Sequence, residues 1–288
     1  MMDLKAMGEF FFPFREKKLK AVWRIGRGGL KGYLIGTAHF FPYRLSRSLR
    51  DFIERAQYVL FEGPLDENSM SEVRRRGCSA GGAEAIYEAL DPQVRKKIRR
   101  LMEPLFHPES DLLLLNPIGR PSSSDPLAEW FKARRPWLAF FEIWAQFLRA
   151  QGWRHSVDME AYQIARRLGK EIHFMETIAE QIEAMEGIPI DRFIRFLEKI
   201  DHWKEYSNDH LRNYLEGKIE ALMNVTQAFP TRCPSIVDHR DPIFFERMGP
   251  FFEKGTTVTF VGTIHIPGLI QKFLGGGYTI EPDGSPSR

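Results

Sequence analysis

The chain has 288 residues, of which 43% are hydrophobic, and its 41 basic and 38 acidic side chains give a formal net charge of +3. That much apolar sequence can bury a sizeable core, whereas mixed charges of nearly equal number are not typical of a nucleic-acid-binding protein. The two cysteines, Cys78 and Cys233, exclude a disulfide scaffold.

The N-terminal segment does not resemble a secretory signal peptide, because Pro13 interrupts its short aromatic patch and charged residues follow. No stretch approaches the roughly 18 uninterrupted apolar residues that a membrane span needs. The sequence therefore predicts a cytoplasmic protein without a membrane span. We expect residues 1–288 to form a single domain, because matched motifs at both ends of the chain have to meet in one sheet.

Residues 20–40 predict a β-hairpin, since two runs of β-forming residues flank a glycine-rich turn. Residues 46–56 have apolar side chains at helical spacing, and residues 58–62 form a short apolar strand. A strand, helix and strand in succession favour parallel pairing, in which functional groups gather at the carboxyl ends of the strands.

The middle of the chain, residues 66–155, is predicted to be a mainly helical insertion with loops at 77–82 and 116–126. An aromatic segment follows the second loop and is broken near Pro136; its rings are Trp130, Phe131, Trp137, Phe140, Phe141, Trp144 and Phe147. Two interpretations are open. The rings either fill the inside of a helical hairpin or wall a cleft that selects an apolar or peptide-like substrate.

The second half predicts a further alternation of helices and strands. The elements are a helix at 159–168, a strand at 171–175, a helix at 178–186, one or two long helices at 190–227, a helix near 244–252, a strand at 257–261 and a helix from 266. Residues 282–288 are predicted to be a flexible tail.

Two histidines and two glutamates follow strand-like runs in matched pairs. The segments Gly36 to His39 and Gly262 to His265 each end a strand in glycine and threonine and then supply a histidine, while Glu62 and Glu176 each end an apolar run. Two imidazoles and one carboxylate would fill three positions on a divalent metal, leaving one position for water and the second glutamate as general base. The spacing does not decide which glutamate has which role.

Strand alternation supports this set. Glu62 and Glu176 fall on the same face as apolar residues of their own strands, a face that we expect to turn toward the core, whereas His173 falls on the opposite face. A core-facing carboxylate has to be paired or metal-bound. The glycine before each histidine allows close approach of the backbone, and Thr37 and Thr263 are expected to hydrogen-bond an imidazole or a bound water.

Other polar residues have two interpretations each. Asp158 either caps a helix or joins the site, and Arg240 either stabilises an oxyanion or substrate carboxylate or pairs with the aspartates beside it. His202 and His210, eight residues apart in a polar helical segment, are expected on the surface.

On these residues the chain resembles the TraB/PrgY/GumN family, which includes the animal Tiki proteins. The resemblance covers residues 30–65, 155–186 and 235–281. It rests on Gly36-Thr37-Ala38-His39, Phe61-Glu62-Gly63, Val157-Asp158, Met175-Glu176-Thr177 with Glu180-Gln181, Arg240, Val261-Gly262-Thr263-Ile264-His265, Gly268-Leu269 and Gly277-Tyr278. Segment 66–155 matches nothing in the family pattern.

The resemblance implies an erythromycin-esterase/ChaN-like fold, a mixed α/β core built from two related halves. In Tiki proteins the two histidine motifs and the glutamates are associated with metal-dependent proteolysis, with manganese or cobalt favoured; zinc is a third choice here. Carried onto this chain, His39, His265, Glu62 and Glu176 are the implied metal ligands, and Glu62, Glu176 and Arg240 the implied catalytic residues. Relatives of the same fold include metal-independent esterases and a haem binder.

The first hypothesis is therefore a metal-dependent hydrolase, with a peptidase preferred, whose activity falls as the pH drops through about 6.5 because imidazole has to be neutral to bind metal. The alternatives are a metal-independent esterase-like hydrolase with a histidine base, and a non-catalytic protein that binds a peptide or haem. The expected partner is a peptide or small-molecule substrate, with no nucleic acid and no membrane span. The oligomeric state is open.

Overall fold

The computed structural model describes residues 17–78, 81–106 and 125–283. The strands are β1 Val22–Arg27, β2 Leu30–Thr37, β3 Tyr58–Phe61, β4 Glu171–Phe174, β5 Thr257–Gly262 and β6 Thr279–Pro282. The helices are α1 Ser46–Arg55, α2 Glu67–Gly77, α3 Glu84–Ala89, α4 Pro92–Phe106, α5 Pro126–Lys132, α6 Pro136–Ala150, α7 Val157–Arg167, α8 Ile178–Glu186, α9 Ile190–Leu197, α10 Trp203–Glu216, α11 Ile219–Thr226, α12 Arg240–Lys254 and α13 Ile266–Gly275. Turns of 3₁₀-helix occupy Ile200–His202 and Thr263–His265.

The strands form one mixed sheet in the order β4-β3-β5-β2-β1-β6. β4, β3, β5 and β2 are mutually parallel, while β1 runs antiparallel to both β2 and β6. The predicted α/β fold with a mixed sheet is confirmed. Because the four parallel strands share a direction, their carboxyl ends meet at one edge, and that edge carries the predicted site residues.

The β1–β2 hairpin closes as its sequence predicts. Gly28 and Gly29 occupy the turn with φ of 56° and 89°, a left-handed conformation that glycine adopts without steric cost. The hairpin pairs Val22 with Ile35, and both side chains are fully buried. It therefore fixes β2 in the middle of the sheet.

Several predicted boundaries need correction. The segment 190–227 forms three helices rather than one or two, because a 3₁₀ turn separates α9 from α10 and Gly217, with φ of 71°, ends α10. Helix α12 begins at Arg240, a turn before the predicted start. Strand β6 was not predicted. Pro282 ends this strand and the N–H of Asp283 donates to the Val22 carbonyl at 2.8 Å, so these two residues belong to the sheet rather than to the flexible tail predicted for 282–288. Residues 284–288 lie outside the described residues.

Two hydrophobic clusters hold the described residues together. The first lies around the sheet and includes the inner faces of α1, α7, α12 and α13. The second, which we call the helical cluster, consists of the insertion helices α3, α4, α5 and α6 packed against α8, α9 and the start of α10. The insertion predicted for 66–155 is helical where it is described, and its apolar residues are buried against helices from the second half of the chain.

The aromatic segment forms a helical hairpin, α5 and α6, with Pro136 at the first position of α6. Most of its rings are buried in the helical cluster, but Phe141 and Trp144 also line a cavity at the sheet edge. The helical-hairpin interpretation is confirmed, and the selection of a substrate by the rings that line the cavity stays a prediction. Within residues 17–78, 81–106 and 125–283, no helix is long and apolar enough to span a membrane.

Gly36 on β2 gives a test of the packing between the two histidine motifs. A Cβ built there would lie 2.9 Å from Thr263 Cγ2, and the next atoms, on Ala21 and Ile266, are at ordinary contact distances of 3.4 and 3.5 Å. Gly36→Ala should therefore lower the free energy of unfolding by about 1–3 kcal/mol. Thr263→Ser removes the obstructing methyl group. The double variant should therefore lose less free energy of unfolding than the two single variants lose together, as measured by urea denaturation.

Gly275→Ala at the end of α13 is the matched control, because a Cβ there meets no atom within 4 Å beyond its chain neighbours and no proline follows it. It should leave the protein equally or slightly more stable, since alanine favours a helix over glycine by about 1 kcal/mol. Strict additivity of Gly36→Ala and Thr263→Ser would show that the close contact does not exist.

Candidate active site

The four predicted strand-end residues lie along one edge of the sheet in the order of their strands. Glu176 follows β4, Glu62 follows β3, His265 lies in the 3₁₀ turn after β5, and His39 follows β2. The structure places the two glutamates and His265 around Arg240, and it places His39 beside Asp158. The edge therefore has an inner cluster and an outer pair.

Glu176 reaches the inner cluster for a reason that strand alternation does not give. β4 is the edge strand of the sheet, and Phe174, on the face predicted to be buried, is 38% exposed. After Phe174 the backbone turns onto β3, where the N–H groups of Met175 and Glu176 donate to the Glu62 carbonyl at 2.9 and 2.8 Å. The predicted burial of Glu176 is correct, but the alternation argument for it is wrong.

Arg240 joins both glutamates. Its Nε and Nη2 donate to the two carboxylate oxygens of Glu176 at 2.9 and 2.6 Å, and Nη2 also donates to Glu62 Oε2 at 2.9 Å. Arg240 and Glu176 are buried, and the guanidinium lies near the Phe244 ring. The alternative that Arg240 pairs with its flanking aspartates is wrong, because these contacts use the glutamates.

Glu62 is held from three sides. Its Oε1 accepts the Gly262 N–H at 2.5 Å and lies 3.8 Å from His265 Nε2. Burial acts to raise the pKa of Glu62, but the positive charges of His265, Arg240 and His39 together with the Gly262 N–H outweigh it and lower the pKa to about 2. Glu62 is therefore a carboxylate at neutral pH. A Cβ on Gly262 would lie 3.2 Å from Oε1, which explains the glycine.

His265 is fixed by a residue that the sequence did not single out. Its Nδ1 lies 2.6 Å from Asp241 Oδ1, and its Nε2 lies 3.3 Å from Arg240 Nη1. An Nδ1–H that donates to the carboxylate leaves Nε2 as the acceptor for Arg240. Gly268, at the start of α13, has to lack a side chain, because a Cβ there would lie 1.8 Å from Asp241 Oδ2.

His39 differs from His265 in being accessible. Its side chain is 70% exposed, its Nδ1 is paired with the buried carboxylate of Asp158, and its Nε2 has no partner among the described residues. The Ser156 hydroxyl donates to the other Asp158 oxygen at 3.1 Å. Ser156, rather than Asp158, caps α7, so Asp158 is free to act at the site.

The charge of Asp158 sets the protonation of His39. Asp158 raises the pKa of His39 above the usual 6.5, Glu62 adds to this shift, and Arg240 opposes it. The loss of activity predicted as the pH falls through about 6.5 should therefore begin at higher pH.

A cavity of about 230 Å³ opens over this edge. The strand ends and the first turn of α12 contribute His39, Glu62, Arg240 and His265 together with Thr37 and Thr263. The helices and the loop after α11 contribute mainly apolar side chains: Phe141, Trp144, Leu148, Met185, Tyr206 and Phe229. His210 also lines it. The prediction that His210 lies on the surface is therefore wrong, because the polar face of α10 that carries it is covered by the helical cluster. His202 is exposed, as predicted.

The predicted ligand set does not fit a metal ion in this conformation. Arg240 occupies the space between Glu62 and Glu176, and Nε2 of His265 faces the same guanidinium. In the part of the chain that the structure describes, no three His, Cys, Asp or Glu side chains are grouped to hold a metal. Metal binding by His39, His265, Glu62 and Glu176 stays a prediction that requires Arg240 to move.

The shared arginine gives a test of stability. Arg240→Met should lower the free energy of unfolding by about 3–5 kcal/mol, because it leaves the buried carboxylate of Glu176 and the partly buried carboxylate of Glu62 without their partner. The pKa of Glu62 is lowered from 4.5 to about 2 on folding, so its stabilising contribution is complete above pH 4.5 and is lost as the pH falls toward 2. The deficit of the variant should therefore be largest at neutral pH in urea denaturation.

Arg50→Met is the control, because Arg50 pairs with Glu54 at 3.0 Å on the exposed face of α1. It should cost less than about 1 kcal/mol. An equal loss in both variants would mean that Glu62 and Glu176 do not depend on Arg240.

The comparisons with known proteins agree with the resemblance seen in the motifs. A search of curated proteins gives no match. The family model described as the TraB/PrgY/gumN family matches residues 21–282, a range that contains all six strands and every site residue named above. The chain belongs to the TraB/PrgY/gumN family.

Proposed function

We propose that the protein is a hydrolase that cleaves an ester or peptide bond in the cavity at the sheet edge, with His39 as its general base. The observation that carries the proposal is the outer pair. A buried carboxylate, Asp158, holds one nitrogen of an accessible imidazole, and the other nitrogen has no partner among the described residues. A base oriented by a third group is the usual arrangement for activating a nucleophile.

In this proposal a water molecule donates a hydrogen bond to Nε2 of neutral His39. As the water oxygen attacks the carbonyl carbon, its proton moves to Nε2, and Asp158 stabilises the imidazolium that forms. The protonated ring then gives this proton to the leaving oxygen or nitrogen as the bond to carbon breaks. His39 returns to its neutral form, so protons balance over the cycle.

The inner cluster has a supporting role in this scheme. Both oxygens of Glu176 and of Glu62 accept hydrogen bonds from Arg240 or the Gly262 backbone, so both carboxylates are held in fixed positions. The Glu62 charge raises the pKa of His39 and so favours its protonated form. A direct catalytic role for Glu62, Glu176 or Arg240 stays a prediction.

The cavity walls support an acyl substrate with apolar groups, either a peptide or a small ester. Rings such as Phe141 and Trp144 would exclude water from the reacting bond while the sheet edge supplies the polar groups. The non-catalytic alternative, a peptide or haem binder, would use the same walls without His39.

A metal-dependent form of the hydrolase is the second candidate, with Mn²⁺ or Co²⁺ preferred and Zn²⁺ as a third choice. An excess of acidic over basic groups at the sheet edge favours this candidate. Among the described residues that line the cavity, Arg240 is the only arginine or lysine, whereas four carboxylates lie at the edge: Glu62, Glu176, Asp158 and Asp241. A bound metal would supply a Lewis acid and lower the pKa of water. Since Arg240 lies between the two glutamates, no step of the reaction is assigned to the metal.

The pH dependence tests His39 as the base. Hydrolysis of an ester substrate should rise with pH along a limb whose midpoint lies above 6.5, because only neutral His39 accepts a proton and Asp158 raises its pKa. Asp158→Asn should shift the midpoint to lower pH and reduce the plateau rate by about 10²-fold. The measurement is kcat/KM between pH 5 and 10.

Glu171→Gln is the matched control, because it removes a carboxylate 2.8 Å from a different histidine, His173 on β4. Its pH limb should coincide with that of the wild type. An unchanged limb in Asp158→Asn would rule out His39 as the titrating base.

Chelation separates the two forms of the proposal. Without a metal, dialysis against EDTA should leave kcat/KM within about twofold. Loss of activity that Mn²⁺ or Co²⁺ restores would favour the metal-dependent form instead. In that case Arg240→Ala should bind Mn²⁺ more tightly than the wild type in calorimetry, because it frees both glutamates.

A further inference from the structure

The charged groups of the cavity are confined to its sheet side. Glu62 and Arg240 are paired with each other there, and His39 is paired with Asp158. Within the described residues, the helices α6, α8, α10 and α11 contribute only uncharged side chains to the lining. A ligand group lying against the helices therefore meets no counter-ion, and a charge on that group would be desolvated without compensation.

The size of the cavity limits this group. A closed apolar cavity of about 150 Å³ is enough to bind benzene. The volume of about 230 Å³ found here leaves space for one ring and a few further atoms, which is less than the roughly 300–1,000 Å³ of most small-molecule pockets. A second fused ring would require a wall residue to move.

Two polar side chains on the helical walls already have hydrogen-bond partners, while Gln181, Tyr206 and His210 have none among the described residues. The Ser207 hydroxyl donates to the Lys204 carbonyl at 3.0 Å, and the Thr226 hydroxyl donates to the Leu222 carbonyl at 3.0 Å. His210, one turn after Ser207 on α10, has no hydrogen-bond or ionic partner among the described residues. Its ring is half-buried and lines the cavity, so a bound ligand can supply the partner.

We propose that the cavity selects an uncharged acyl group that carries one aromatic ring, or a branched aliphatic chain of the same size, and that His210 hydrogen-bonds the acyl compound. This inference rests on the proposed hydrolase function, because the acyl carbonyl is the group on which His39 would act. His210 is then a substrate-binding residue for the reaction.

The electrostatics of His210 agree with this role. Burial lowers the pKa of His210 to about 4, so the ring is neutral at pH 7 and has one N–H donor and one acceptor. His39 in the same cavity is shifted in the opposite direction by Asp158. The two histidines therefore differ in charge at neutral pH, with only His39 favoured as an imidazolium.

Calorimetric binding of neutral amides at pH 7 tests the proposal. Phenylacetamide should bind the wild-type chain at least about thirty-fold more tightly than acetamide, because the ring is buried against apolar walls. Cationic phenylalaninamide should bind more weakly than phenylacetamide. A two-ring amide, 1-naphthylacetamide, should bind Phe141→Ala more tightly than it binds the wild type.

Variants of His210 test the hydrogen bond. His210→Phe should weaken phenylacetamide binding by about five- to tenfold, whereas His210→Gln, which keeps a donor and an acceptor, should stay within about twofold of the wild type. His202→Phe is the control at an exposed position and should have no effect. Thermal unfolding of each variant shows whether it is folded.

The proposal is overturned if phenylacetamide binds no better than acetamide, if the cation is preferred, or if both His210 variants bind as the wild type does. Hydrolysis of 4-nitrophenyl phenylacetate and 4-nitrophenyl acetate, measured in parallel, separates the two proposals. Selective amide binding without hydrolysis contradicts the hydrolase function and leaves the cavity assignment standing. Equal hydrolysis of both esters without selective amide binding contradicts the cavity assignment alone.

Discussion

One guanidinium shared by the buried carboxylate of Glu176 and the partly buried carboxylate of Glu62 organises the sheet edge. Glu62 and Glu176 are 114 positions apart in the chain and follow adjacent parallel strands, so they would repel each other at short range if no cation lay between them. Arg240 at the start of α12 supplies that cation and at the same time reaches His265. Because Asp241 is the next residue, the first turn of α12 fixes the arginine and the histidine together.

This arrangement separates the residues that stabilise the sheet edge from the accessible histidine, His39. Arg240, Glu176 and His265 are buried, and the hydrogen bonds of Arg240 to Glu176, Glu62 and His265 stabilise the positions of three strand ends in a medium where any lost partner is costly. His39 lies at the other end of the row, accessible from the cavity, with Asp158 behind it. The two histidine motifs are alike in sequence, yet among the described residues only the first has a ring nitrogen without a partner, because Arg240 and Asp241 of α12 contact both nitrogens of His265.

The parts of the site that follow from local sequence were predictable. Apolar runs that end in Gly-Thr or in glutamate define strand ends, and parallel strands bring such ends to one edge, so the placement of Glu62 and His265 in one region follows from pattern alone. The partners of Arg240 did not follow, since 178 residues separate it from Glu62 and the flanking aspartates were closer in sequence. His210 was missed because its neighbours Asp209 and Arg212 are polar; only the packing of the helical cluster shows that its side of α10 is covered.

The two hydrophobic clusters have a consequence for how such a protein can diversify. The groups that would handle the reacting bond are anchored in the cluster around the sheet, whereas the rings that shape the space for the ligand belong largely to the helical cluster. Changes at well-separated positions act independently on stability to a good approximation. Substitutions in the helices of segment 66–155 can therefore change the shape of the cavity while the hydrogen bonds among the strand-end residues stay in place.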